Sequence, residues 1–273
     1  MGRHKKATDY VLVEGLRIGF RRAGDGPPLV LLHGGLGDGR AWRDQLEDLS
    51  DEFTVVAWDA PGCGGSADPP DDFRLADYAD SLAGLIDALG LHRPHVLGHS
   101  FGAGLALELY RRHPKLPRSL VLAGAYAGWS GSLSREEVDK RLRLALEVAE
   151  LLPDRFLPQS IPGLFSDLIP PERSEELAAI MSEARPVGTR VMAHAFAEAD
   201  LRDVLPRIKV PTLLVCGEAD ERSPLPVAEA LHDAIPTSTM VVLPSLGHES
   251  YVEAPAQFNA EVRAFVRSVL HTS

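Results

Sequence analysis

The sequence predicts an α/β architecture: an eight-stranded, mostly parallel sheet with helices on both faces and a helical insertion ahead of the last two strands. Three observations carry this. Short apolar runs of strand length alternate with longer segments of helical period, the pattern of a sheet covered by helices on both sides. The runs are continuous rather than alternating, as strands buried on both faces are. From about position 125 to position 206 the alternation stops, and only helical spacing is left.

Taken in order, Tyr10-Val11-Leu12-Val13 and Leu16-Arg17-Ile18-Gly19-Phe20 flank Glu14-Gly15. Glycine there supplies a positive φ, so the pair reads as an antiparallel hairpin at one edge of the sheet. Six runs follow: Leu29-Val30-Leu31-Leu32, Thr54-Val55-Val56-Ala57-Trp58, His95-Val96-Leu97, Leu120-Val121-Leu122-Ala123, Thr212-Leu213-Leu214-Val215 and Thr239-Met240-Val241-Val242-Leu243. All six are expected to be buried on both faces. Helical spacing covers 73–89, 104–112, 228–234 and 256–270, with Pro94, Pro114 and Pro117 punctuating the ends. Within the strandless stretch it covers 135–152, 174–184 and 188–199. A structureless loop of that length does not suit a compact domain, so the expected organisation is a core of residues 1–124 and 207–273 and a helical cap, or lid, of residues 125–206.

Composition narrows the function classes. A chain of 273 residues, 45% hydrophobic and 25% charged, suits one ordinary globular core with an insert. The formal net charge of -11 opposes nucleic-acid binding, which needs a basic face, and leaves a small molecule as the expected partner. Oligomeric state is not legible. The basic start Met1-Gly2-Arg3-His4-Lys5-Lys6 runs into Thr8, Asp9 and Tyr10 rather than the apolar core of a signal peptide. Lys6 stands where a myristoylation motif needs Ser or Thr. No run approaches the ~20 apolar residues of a membrane span, so no membrane association and a cytoplasmic location are expected. Cys63 and Cys216 lie far apart without metal-ligand spacing, which suggests neither a disulfide framework nor a zinc site.

The chemistry gathers at strand ends. Gly98-His99-Ser100-Phe101-Gly102 follows one strand and precedes a helix, the context in which G-x-S-x-G makes a tight turn that lifts a serine above a sheet. A serine nucleophile needs a base, which the elbow logic places late in the chain behind an acid. Of the ten histidines, His248 in Leu246-Gly247-His248-Glu249-Ser250 follows the last strand and falls at the same sheet edge as the elbow. His99 is adjacent to the serine in sequence, where side chains diverge; His33 reads as a hydrogen-bonded structural residue, and His194 lies in the insert. The acid is expected after the preceding strand, in Val215-Cys216-Gly217-Glu218-Ala219-Asp220-Glu221. Asp220 is chosen, with Glu218 and Glu221 as solvated neighbours, because the acid must be buried against the imidazole to fix its tautomer.

Oxyanion donors should be backbone amides, one after the nucleophile and one from the loop after the first core strand. These are Phe101 and, in His33-Gly34-Gly35-Leu36-Gly37, Gly35, with Leu36 possible. That loop is no P-loop, since no Lys-Ser or Lys-Thr pair follows. Gly102-Ala103-Gly104 fails as a dinucleotide fingerprint because Leu107 stands at its third glycine position.

In order, His33-Gly34, Trp42, Asp59-Ala60-Pro61-Gly62-Cys63-Gly64-Gly65-Ser66, the elbow, Gly217-Glu218-Ala219-Asp220 and Gly247-His248 resemble the landmarks of the α/β-hydrolase superfamily over nearly the whole chain. The resemblance implies the α/β-hydrolase fold and a cofactor-independent, metal-free serine hydrolase. It implies a triad of Ser100, Asp220 and His248, an oxyanion hole of Gly35 and Phe101, and a cap formed by the insert. Asp59 is then a structural salt bridge or turn residue. Serine at the elbow sets the chain apart from haloalkane dehalogenases and epoxide hydrolases, which attack through a carboxylate. Glu249 stands where meta-cleavage product hydrolases, which cut carbon-carbon bonds, commonly carry Trp. The loop at His33 is also similar to that of proline iminopeptidases, whose usual elbow His99 and Phe101 do not match. Esterase or lactonase activity is the broadest fit, with carbon-carbon bond hydrolysis or a non-catalytic ligand sensor as alternatives. Leu36, Trp129, Phe165 and Phe196 are expected to line a substrate pocket, with Tyr126, Phe156 and Met192 as further candidates.

Overall fold

The computed structural model describes residues 7–152, 161, 163–164, 166–167 and 169–271. Eight strands form one sheet: β1 (Asp9–Val13), β2 (Leu16–Ala23), β3 (Pro28–Leu32), β4 (Thr54–Trp58), β5 (His95–His99), β6 (Ser119–Ala123), β7 (Thr212–Gly217) and β8 (Ser238–Leu243), in the order β1-β2-β4-β3-β5-β6-β7-β8. β1 pairs antiparallel with β2, and β2 with β4; every later pairing is parallel. The expected edge hairpin and parallel core are both present.

Alternation along the strands sorts their side chains to two faces. Val30, Leu32, Val56, Val96, Leu120, Leu122 and Leu214 pack with residues of α2 (Leu75–Ala88), α3 (Phe101–Arg112) and α8 (Leu225–Ala234). Leu29, Leu31, Val55, Ala57, Leu97, Val121 and Leu213 pack on the other side with Leu46 of α1 (Arg43–Asp48) and Phe258, Val262 and Val266 of α10 (Pro255–His271). The sheet is therefore buried on both faces in its middle. β8 departs from expectation: most of it is only partly covered, and Val242 is 37% exposed. It is an edge strand with a neighbour on one side only, which an apolar run does not announce.

Between β6 and β7 the chain forms α4 (Trp129–Ser132), α5 (Arg135–Leu151), α6 (Pro171–Ser182) and α7 (Pro186–Glu198). Among the described residues this insertion is helical and holds no strand, as expected, and α5 packs on α7. Both α6 and α7 start two to three residues earlier than periodicity indicates, at Pro171 and Pro186. Proline suits the first helical turn, where its missing N–H has no intrahelical partner anyway. The short helices α1, α4 and α9 (Ser250–Glu253) are too brief to leave a periodic signal. Among the described residues no helix is long and apolar enough to cross a membrane.

The strand order positions the site. From β3 the chain steps to β4 on one side and returns to β5 on the other. Connections leave the ends of β3 and β5 in opposite directions, opening a crevice at their C-terminal ends where ligands of such sheets bind.

Candidate active site

Ser100 sits between the last residue of β5 and the first of α3, with no loop in between, at φ 52° and ψ -111°. A non-glycine residue at that φ carries backbone strain of about 1–3 kcal/mol and persists only when its surroundings hold it. Here its N–H donates to the Ala123 carbonyl of β6 at 2.9 Å. The flanking glycines are dictated by close approach: a Cβ on Gly98 would lie 2.1 Å from the Gly102 carbonyl oxygen, and one on Gly102 2.2 Å from that of Leu32. Ser100 itself is half-buried and faces a cavity.

His248 follows β8 and faces the same cavity. Its Nδ1 donates to Asp220 Oδ2 at 2.8 Å, which leaves Nε2 as the other ring nitrogen. The backbone N–H groups of Arg222 and Ser223 donate to Asp220 Oδ1 at 2.8 Å each. Burial pushes the Asp220 carboxyl upward, but the facing His248 and these hydrogen bonds outweigh it and hold the group below the usual carboxylate range. Its two acidic neighbours behave differently. Glu218 is exposed and accepts the Ser245 N–H at 2.8 Å, and Glu221 is exposed.

The other histidines near the sheet edge are committed elsewhere. His99 Nε2 donates to the His248 carbonyl at 2.9 Å, fixing the backbone that carries the imidazole. Burial lowers its pKa to about 3, so it stays neutral. His33 Nε2 accepts the Ala60 N–H at 3.0 Å, leaving a protonated Nδ1 to donate to the Gly34 carbonyl at 2.8 Å. Asp59 accepts from Arg21 at 2.9 Å and from the N–H groups of Gly39 and Gly65 at 2.8 Å each. It ties the hairpin to two loops, a structural arrangement.

Gly35, Leu36 and Phe101 line the cavity. Among the described residues the N–H groups of Gly35 and Leu36 make no hydrogen bond, and Phe101, first in α3, has no carbonyl a turn behind it. Trp129, Met192 and Phe196 also face the cavity. Tyr126 does not; it is buried, with its hydroxyl accepting from Arg141 at 2.7 Å. Phe156 and Phe165 lie outside the described residues.

Sequence reasoning missed three charged groups on the wall. Arg141 projects from α5 on the same face as Leu144, Ala145 and Val148, and Arg222 comes from the turn after Asp220. The spacing 141, 144, 145, 148 is one helical stripe, which does not by itself say that Arg141 turns inward. Glu249, next to His248, is buried, and burial drives its pKa up to about 7 against the opposing pull of His248 and the Tyr251 hydroxyl. Among the described residues His99, His248 and Glu249 each bring a ligand-type atom within 4.8 Å of the others, a spacing that could hold a cation.

Comparison with known proteins agrees with this fold. Residues 29–261 match the sequence model of the Alpha/beta hydrolase family. A relative from Cronobacter turicensis, provisionally named the carbamate hydrolase RutD, is 32% identical over 248 residues, covering 86% of this chain and 89% of its own. A thermophilic esterase from Thermogutta terrifontis matches with a TM-score of 0.88 at 30% identity, over 96% of this chain and 99% of that one. An enol-lactonase from Burkholderia xenovorans LB400 matches with a TM-score of 0.81 at 25% identity, over 95% and 100% of the two chains. With a family match running from β3 into α10 and relatives of near-equal length, this chain belongs to the alpha/beta hydrolase family and is a hydrolase.

Proposed function

We propose that the protein is a serine hydrolase that cleaves an ester, lactone or related acyl bond of a small molecule through an acyl-enzyme on Ser100. The observation that carries this reading is the hydrogen bond from His248 Nδ1 to buried Asp220, made at the cavity into which the strained Ser100 projects. In the scheme, Ser100 Oγ attacks the carbonyl carbon while His248 Nε2 takes its proton, and Asp220 stabilises the imidazolium. The N–H groups of Phe101 and Gly35 hold the oxyanion. Collapse of the tetrahedral intermediate expels the alcohol, which receives the proton from His248. Water, deprotonated by His248, then attacks the acyl-serine and releases the acid and free Ser100. The scheme uses only the chain's own residues and water.

In this reading the inserted helices act as the cap, and residues 125–206 set the acyl pocket. Leu36, Trp129 and Phe196 supply apolar contact there. The cavity offers about 130 Å³ of water-accessible space, against roughly 10–15 Å³ for a single water, which suits a small molecule. The named activities of the similar proteins, on carbamates, esters and an enol-lactone, are all hydrolyses of acyl compounds. The test is hydrolysis of 4-nitrophenyl butyrate: the wild type turns it over and Ser100→Ala does not. Equal rates from the two proteins, purified free of other esterases, would sink the proposal.

A further inference from the structure

The catalytic proposal leaves Arg141 and Arg222 without a role in the cavity. The chain carries a formal net charge of -11, yet among the described residues the charged side chains lining this cavity, apart from the histidines, are two arginines and the single carboxylate of Glu249. Neither arginine is on the surface by accident. The Arg141 side chain is only 14% exposed, and Arg222 is mostly buried, with burial pulling its pKa down.

Arg141 is anchored rather than mobile. Its Nε donates to Glu137 Oε1 at 3.0 Å, one terminal nitrogen to the Tyr126 hydroxyl at 2.7 Å, and the other to the Arg222 carbonyl at 3.0 Å. A guanidinium carries five N–H donors. These three bonds leave one N–H on each terminal nitrogen. The Arg222 carbonyl belongs to the turn whose N–H groups hold Asp220, so the two arginines are registered to the proposed triad.

Two guanidinium groups on one wall repel each other, and Arg141 is among the causes that disfavour the charge on Arg222. An anion placed against them relieves that repulsion and takes the spare donors of Arg141, in a partly buried setting that strengthens charge-assisted hydrogen bonds. Leu144, Ala145, Val148, Met192 and Phe196 fill the rest of the wall, which suits a short hydrocarbon body between the anion and the scissile bond. Glu249, whose burial resists ionisation, opposes such an anion less than an ordinary glutamate.

We propose that Arg141 and Arg222 form a carboxylate subsite, and that the substrate is a small ester or lactone carrying a free carboxylate a few carbons from the bond cleaved. The inference rests on the Ser100 reading and deepens it.

The test compares 4-nitrophenyl hydrogen glutarate with the neutral 4-nitrophenyl valerate, in wild type, Arg141→Met and Arg222→Met. The expected result is a kcat/KM in wild type about ten-fold or more in favour of the carboxylate ester. The arginine variants should bring that ratio down to near one, chiefly by raising KM for the carboxylate ester. A wild type that hydrolyses both esters equally overturns the subsite and leaves the acyl-enzyme reading intact. Variants that slow both esters in proportion, with the ratio preserved, show a purely structural role and also overturn it. Glutarate itself supplies a readout independent of turnover: it should raise the Tm of wild type and not that of Arg141→Met, and an equal rise in both contradicts the subsite.

Discussion

The two walls of the cavity are built by different means. The floor, at the ends of β3, β5, β7 and β8, is fixed by short hydrogen bonds inside buried structure: Ser100 to Ala123, His248 to Asp220, Asp220 to Arg222 and Ser223, His99 to His248. The opposite wall, made by α5 and α7, is mostly apolar packing. The insert is tied to the core partly by surface ion pairs such as Arg43–Glu176 at 2.6 Å and Arg185–Asp68 at 2.7 Å. The floor admits few alternatives because these bonds tie its backbone and side chains to partners inside the core. The insert can be re-specified by exchanging side chains on helices that already pack, which is how one fold serves many substrates.

Breaking the floor should have the largest effect. Asp220→Asn keeps the shape of the site but removes the charge that orients and stabilises the His248 imidazolium. A fall in kcat for 4-nitrophenyl butyrate on the order of 10⁴-fold is expected, with thermal unfolding still cooperative. A fall of less than ten-fold would place the orienting acid elsewhere.

An intermediate effect is expected from Glu249, at the seam between the two walls. Its pKa is raised from an ordinary 4.5 to about 7 in the folded protein. Between these values the unfolded chain ionises while the native carboxyl keeps its proton, so stability falls as pH rises through that window and levels off above it. At pH 8 the loss is at most about 3 kcal/mol. Glu249→Gln should flatten the dependence, so urea midpoints compared at pH 5 and pH 8 should differ less in the variant. Parallel curves for the two proteins would mean that Glu249 is ionised or repartnered in the native state.

The smallest effect belongs to the insert's surface ties. Arg185 donates from Nε to Asp68 and from its terminal nitrogens to the carbonyls of Gly64 and Ser66, all at 2.7 Å, but its side chain is 34% exposed. Arg185→Ala should cost about 1 kcal/mol or less and leave the pKa profile of kcat untouched, since it meets neither Ser100 nor His248. A loss several times larger, read from urea midpoints, would show that the insert depends on its ion pairs more than on packing.

The same contrast governs what the sequence reveals. The floor was legible because its backbone geometry demands specific residues: only glycine fits at Gly98 and Gly102, and the elbow then dictates where partners must fall. The choice among Glu218, Asp220 and Glu221 was harder, since all three share one turn. What separates them is that His248 Nδ1, from the loop after β8, meets Asp220, a tertiary fact. In the insert, periodicity located α5 and its apolar stripe but did not mark Arg141 as facing the cavity, because one arginine among apolar residues reads equally well as solvent-facing. The exposure of β8 was illegible for a related reason, because a run of Met240, Val241 and Val242 is as apolar at an edge as in a centre.

The central claim is that Ser100, activated by His248, forms a covalent acyl intermediate. Its most direct test is intact-protein and peptide mass spectrometry after brief exposure to a fluorophosphonate probe. The account predicts rapid stoichiometric labelling of Ser100, loss of ester hydrolysis in parallel, and a labelling rate that drops steeply in His248→Ala. Labelling at another residue, or continued hydrolysis by protein fully labelled at Ser100, would contradict it.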